Sequence, residues 1–185
     1  MIAGILGDAK SGMAGAVESL KKDLASLRTG RASVSFLDGI TVDYYGSRVP
    51  INQCASVTTP DPRLIVIQPW DKSAITPIEK AITEAKLGLN PQNDGKVIRL
   101  PIPPLSEERR KDLAKQARKK AEDHKVSIRS IRRDAKEMLE ELEKESEASK
   151  DDVARALEEL QKLTDTATTH VDEVVVGKEK EILEF

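Results

Sequence analysis

From Ser106 to about Glu147 the apolar residues recur at steps of three and four: Leu113, Ala117, Ala121, His124, Ile128, Ile131, Ala135, Met138 and Leu142. That spacing predicts one helix of roughly forty residues, on the order of 60 Å long at 1.5 Å per residue. A rod of that length cannot bury its stripe against itself, so it needs helical partners. Its charge is polarised as well. Ser106 to Lys136 carries twelve Lys and Arg against six acids, whereas Glu137 to Asp152 carries eight acids against Lys144 and Lys150. Pro101, Pro103 and Pro104 forbid an earlier start, and Ser106 offers an N-cap followed by Glu107 and Glu108 in the first turn.

Two other segments share the period. The first runs from Ile2 to Arg28, with a seam of Ile2, Leu6, Ala9, Met13, Val17 (or Ala16), Leu20, Leu24 and Leu27, and should end at Thr29-Gly30 with glycine as the C-terminal cap. Its Gly4, Gly7, Gly12 and Gly15 oppose helix formation and lie mostly off the seam, so close packing does not account for them and the first turns should fray. The last helix starts at Ser149, with Asp152 completing a variant capping box, and its seam is Val153, Leu157, Leu160, Thr164, Ala167, Val171, Val174 and Ile182. Three such stripes are satisfied most economically by an antiparallel three-helix bundle built from residues 1–29 and 106–185.

Residues 30–105 must then leave the bundle and return to it. Ile40 to Tyr45 is strand-like, Gly46-Ser47 reads as a two-residue hairpin loop, and Arg48, Val49 and Ile51 lead back. Ala55 to Thr58 is a further short strand, Arg63 to Gln68 the strongest one, and Val97 to Ile102 the last. Thr76 to Ala85 is a helix with Pro77 at its first position. The expected fold class is α+β: a three-helix bundle with an inserted small α/β-sandwich domain. Two short crossings, near residues 29–32 and 103–106, join the parts. Gly30 on one and Pro103-Pro104 on the other make them a candidate hinge.

Composition narrows the function. Of 185 residues 34% are charged and 3% aromatic, and the net charge is −2, so nucleic-acid binding has to come from local segregation of charge. Cys54 is the sole cysteine, which excludes an internal disulfide and fits a reducing compartment. No apolar run reaches membrane-span length, and residues 1–15 lack the pattern of a signal peptide, so a cytoplasmic protein without membrane contact is expected.

The segregated charge is the candidate site. Arg118, Lys125, Arg129, Arg132 and Lys136 step by seven, four, three and four, which places them on one helix face, with Lys119 and Arg133 flanking it. Guanidinium groups on a rigid face suit backbone phosphates. The competing explanation is a solvated face laced with ion pairs such as Glu122 with Lys125 or Arg129 with Asp134. His124 belongs to the seam and should be a satisfied boundary histidine; His170 has no second histidine at metal spacing. Cys54 reads as a buried apolar group, and Trp70 as an anchor of the small domain. No phosphate-binding loop, nucleophile elbow or zinc-protease motif is present, so neither catalysis nor a metal or other cofactor is expected.

Several ordered strings run through the chain: Leu27-Arg28-Thr29-Gly30-Arg31-Ala32-Ser33, Val42-Asp43-Tyr44-Tyr45-Gly46, Ile78-Glu79-Lys80-Ala81-Ile82 and Leu87-Gly88-Leu89-Asn90-Pro91. They continue with Ile102-Pro103-Pro104-Leu105-Ser106-Glu107-Glu108-Arg109-Arg110-Lys111, Arg129-Ser130-Ile131-Arg132-Arg133-Asp134-Ala135 and Gln161-Lys162-Leu163-Thr164-Asp165. In these the chain resembles the ribosome recycling factor family over essentially its whole length. The resemblance implies an L-shaped monomer that binds the post-termination ribosome, with the bundle against large-subunit ribosomal RNA. With elongation factor G and GTP it would split the subunits and free the ribosome from mRNA, the GTPase being elongation factor G. It also implies that Arg129 and Arg132 lie on the RNA-facing side, that Arg28, Arg31, Arg109 and Arg110 match near the hinge, and that the hinge carries over to Gly30, Pro103 and Pro104. The chain departs from the family at Cys54, where an aliphatic residue is usual, and in its glycine-rich first helix. A helical adaptor for protein partners and a hydrolase hidden in the small domain are the alternative classes.

Overall fold

The computed structural model describes residues 1–184; Phe185, the last residue of the expected bundle, lies outside them. The chain divides into two compact units, Met1–Arg28 with Glu107–Glu184, and Thr29–Ser106. The protein is thus mixed in class, with a long helical part and a small sheet domain.

The first unit consists of α1 (Ile2–Ala25), α3 (Glu107–Lys144) and α4 (Lys150–Glu184). At 38 residues α3 spans about 57 Å. The buried stripe of α1 is Leu6, Ala9, Met13, Val17, Leu20 and Leu24, every one a seam residue. Two downstream seams run one residue later than a strict heptad predicts. Leu139 is buried where Met138 was expected, and Met138 is 53% exposed; Val175 is buried in place of Val174. A straight helix turns every 3.6 residues, so a 3.5-residue pattern drifts by about 20° per heptad, and the interior shifts to the next residue after a few heptads. At the start of α4, Ala156 replaces Leu157 in the core.

Helix ends follow local chemistry. The Ser149 hydroxyl accepts from Asp152 N at 3.1 Å and donates to its carboxylate at 2.7 Å, which is the expected cap of α4. α3 ends in a Schellman arrangement, with Glu147 N donating to Leu142 O (2.9 Å) and Ser146 N to Glu143 O (3.1 Å). Ser146 takes the left-handed position, φ +58°, that glycine usually fills. α1 stops earlier than expected, at Ala25 with Ser26 as cap, so Gly30 is not its C-terminal cap; Gly30 takes φ +78° within the connecting segment.

In the second unit β1 (Thr41–Tyr44) and β2 (Ser47–Pro50) form a two-stranded sheet. Tyr44 pairs with Ser47, so the hairpin loop is Tyr45-Gly46 rather than Gly46-Ser47. Both loop residues have positive φ, +50° and +78°, as the twist-matched two-residue turn requires. A four-stranded antiparallel sheet has the order β3 (Ala55–Asp61), β4 (Leu64–Pro69), β6 (Ile98–Pro101), β5 (Gln92–Asn93). β3 continues through Pro60, which an edge strand tolerates, and its pairing is irregular between Thr58 and Asp61. The two-residue β5 has no apolar pattern, so nothing in the sequence marks it as a strand. Helix α2 (Ile75–Glu84) places Pro77 third rather than first, still within the turn whose N–H groups lack helical partners. Ile65, Ile67, Ile78, Ile82, Ile98 and Leu100 form the dry centre of this unit.

Both connecting segments are pinned to one turn of the small unit. Ala32 N donates to Pro62 O (2.6 Å) and Ile102 N to Arg63 O (2.8 Å). Cys54 is fully buried, as expected, and burial pushes its thiol pKa up. Trp70 is not an anchor: it is 68% exposed, because it stands just past the end of β4 while the isoleucines fill the interior.

Candidate nucleic-acid interface

α3 carries most of the predicted site on a single rigid element. Its α1-facing side is settled by two contacts. His124 Nε2 lies 2.9 Å from Asp23 Oδ2, which makes it a satisfied boundary histidine. A Cβ added at Gly12 would lie 3.3 Å from Ile131 Cδ1, so this glycine does serve close packing, contrary to expectation; Gly4, Gly7 and Gly15 meet nothing within 4 Å.

The cations occupy the other flank and divide into two groups. Arg118 and Lys125 reach α4, Arg118 bonding Glu179 and Lys125 bonding Asp172 at 2.6 Å. The Glu179 carboxylate raises the Arg118 pKa further, first through their hydrogen bond. These two cations act chiefly as bridges between helices. Arg129, Arg132 and Arg133 are exposed on the outer surface. Arg129 pairs with Glu122 on its own helix, not with Asp134. Arg133 lies 3.9 Å from Asp134 and Lys136 lies 3.5 Å from Glu140. Arg132 Nη1 donates to Gln161 Oε1 at 3.3 Å. Pairs this exposed are weak and salt-screened, so a phosphate can replace the carboxylate partner of Arg129.

Near the start of α3, Arg109 bonds Asp112 at 2.9 Å, and the half-buried Arg110 donates to Leu183 O at 3.2 Å. Arg28 closes the helical unit's first segment and is exposed; Arg31 is exposed in the small unit. The α4 partners Gln161, Asp172 and Glu179 were not identified from the sequence, because nothing local signals a contact between residues 29 to 61 positions apart. Among the described residues no group of three or more His, Cys, Asp or Glu is placed to hold a metal, and no helix is long and apolar enough to cross a membrane.

Fold and face together define a class: a helical-bundle protein with an inserted sheet domain and a cationic rod. Comparison with known proteins narrows it. The family model for ribosome recycling factor matches residues 20–183. The ribosome-recycling factor of Nitratidesulfovibrio vulgaris is 57% identical over 98% of this chain and 97% of its own. That of Syntrophomonas wolfei is 53% identical over the whole of both chains. A solution structure of ribosome recycling factor superposes with TM-score 0.75 at 46% identity, covering 100% of this chain and 98% of that one. A second similar structure covers 99% of both chains with TM-score 0.63 and 46% identity. It is the Thermus thermophilus factor, placed with Escherichia coli elongation factor G on the E. coli post-termination complex. The chain belongs to the ribosome recycling factor family.

Proposed function

We propose that this protein recycles ribosomes after translation termination. It binds the post-termination ribosome and, with elongation factor G and GTP, splits the subunits and frees the ribosome from mRNA. What supports this reading is the full-length relation to the family, together with a rod whose exposed arginines suit RNA phosphates. The exposed residues Arg129, Arg132 and Arg133 grip structured large-subunit RNA by its backbone, by shape rather than by base sequence. Arg118 and Lys125 hold α3 to α4 behind them; Arg28, Arg109 and Arg110 of the helical unit, and separately Arg31 of the small unit, are further candidate RNA contacts. GTP hydrolysis falls to elongation factor G; this chain contributes binding and leverage, needs no cofactor, and works as a monomer in the cytoplasm, where ribosomes are.

The connections serve as the hinge. Ala32 and Ile102 are fixed to the Pro62-Arg63 turn, so rotation is confined to the short stretches between there and the helices, where Gly30, Pro103 and Pro104 lie. Elongation factor G drives the small domain about this hinge. A covalent cross-link that locks the two units together should abolish splitting while sparing ribosome binding; full-rate recycling by the locked protein would contradict the hinge. The function itself is tested by light scattering of post-termination ribosomes: splitting should require this protein, elongation factor G and GTP together, and its absence with active partners would reject the reading.

A further inference from the structure

Three cations of α3, spaced seven residues apart, reach across to α4, yet they meet different chemistry there. Arg118 and Lys125 land on carboxylates, those of Glu179 and Asp172. Arg132 lands on a neutral amide, its Nη1 lying 3.3 Å from Gln161 Oε1. The amide is itself oriented: Gln161 Nε2 donates to Asp165 Oδ1 at 2.8 Å, one turn further along α4. Reversing it would turn an NH2 group against the guanidinium and an oxygen against the carboxylate, exchanging two attractions for two repulsions.

We propose that Gln161 is a positioning residue for Arg132, oriented by Asp165, and that its neutrality is the point of the arrangement. An arginine loses much side-chain freedom when it binds a phosphate, so prior ordering favours binding. A carboxylate at position 161 would order Arg132 equally well but would compete with phosphate for it, so that RNA would first have to displace it, as it must displace Glu122 from Arg129. The amide orders the side chain, engages one of five guanidinium N–H donors, and leaves Arg132 without a carboxylate bonded to it that a phosphate would have to displace. The Gln161–Asp165 string, singled out in the sequence but given no role by the cationic face alone, thereby acquires one. This inference rests on the proposal that the α3 face binds ribosomal RNA.

The test compares equilibrium binding to purified bacterial large ribosomal subunits over a range of KCl concentrations for the parent, Arg132→Ala, Gln161→Met and Gln161→Glu, with nitrogen-15 relaxation of the Arg132 Nε–H group in the unbound proteins. Gln161→Met should loosen Arg132 and weaken binding about two- to tenfold with the salt dependence unchanged. Gln161→Glu should keep Arg132 ordered yet weaken binding, with a log–log salt slope shallower by about one. Position 161 is exposed, so both variants should unfold close to the parent temperature. Weakening by Arg132→Ala alone, with both Gln161 variants binding as the parent does, would overturn this inference and leave the RNA face standing. Parental binding by Arg132→Ala would overturn both.

Discussion

His124 Nε2 donates to Asp23 Oδ2 at 2.9 Å, joining α3 to α1 across 101 residues of sequence. This hydrogen bond is the main cause of a lowered Asp23 pKa, with Lys120 adding a smaller attraction. A carboxylate whose folded pKa lies below its ordinary value of 3.8 contributes stability that is complete above that value and vanishes as the pH falls through the lowered one. Asp23→Ala should therefore lower the unfolding temperature near neutrality, and the gap from the parent should close in acid well below pH 3.8. A gap of the same size at both pH values would contradict the assignment.

The α1 glycines separate into two kinds. At Gly7 and Gly15 an added methyl meets nothing, so alanine should stabilise the protein by about 0.5–1 kcal/mol at each. At Gly12 the methyl presses on Ile131, and the gain should shrink or reverse. Denaturant unfolding of the three single variants checks this; equal gains at all three positions would mean that α1 and α3 are not as close as described.

Trp70 and Ile65 should trade the importance their sizes suggest. Trp70→Ala removes a largely exposed ring and should change stability by less than about 0.5 kcal/mol. Ile65→Ala opens a cavity in a fully buried site and should cost about 2–5 kcal/mol. Thermal unfolding distinguishes the two, and a large loss at Trp70 would restore the anchor it was expected to be.

The contrast shows where sequence reasoning reaches. Leu6 to Leu24 and Leu113 to Leu142 declare their helices because burial on one stripe leaves a period of three to four that no other structure produces. The pattern points to Met138 where Leu139 is buried, because the mismatch between 3.5 and 3.6 residues per turn accumulates silently along a long helix. Trp70 reads as an anchor yet is exposed, because an aromatic residue next to a strand looks the same in sequence whether it turns inward or out. The cations of α3 were legible as a face, but not their division into bridges and exposed groups, since that depends on Asp172, Glu179 and Gln161 of a helix whose register against α3 is set only by folding.

Asp94 should be the most acidic side chain of the small unit. Backbone N–H groups of Val97 and Lys96, then Arg99, hold its pKa down to about 2. Its contribution to stability is complete above 3.8 and fades as the pH falls towards 2. Carboxyl NMR titration should find this value in the parent. In Arg99→Ala it should rise only partway, because the two backbone donors that come first remain. A return to the ordinary value in Arg99→Ala would mean that the turn itself does little.

If the exposed arginines of α3 act on the ribosome as proposed, losing one of them should slow subunit splitting. The most direct measurement is the rate of subunit splitting by light scattering, with elongation factor G and GTP, for the parent and for Arg132→Ala. The parent should split subunits rapidly, and the variant at a rate at least about tenfold lower, equivalent to about 1.4 kcal/mol, with helicity unchanged. Splitting by Arg132→Ala at the parent rate would contradict that role of the arginines.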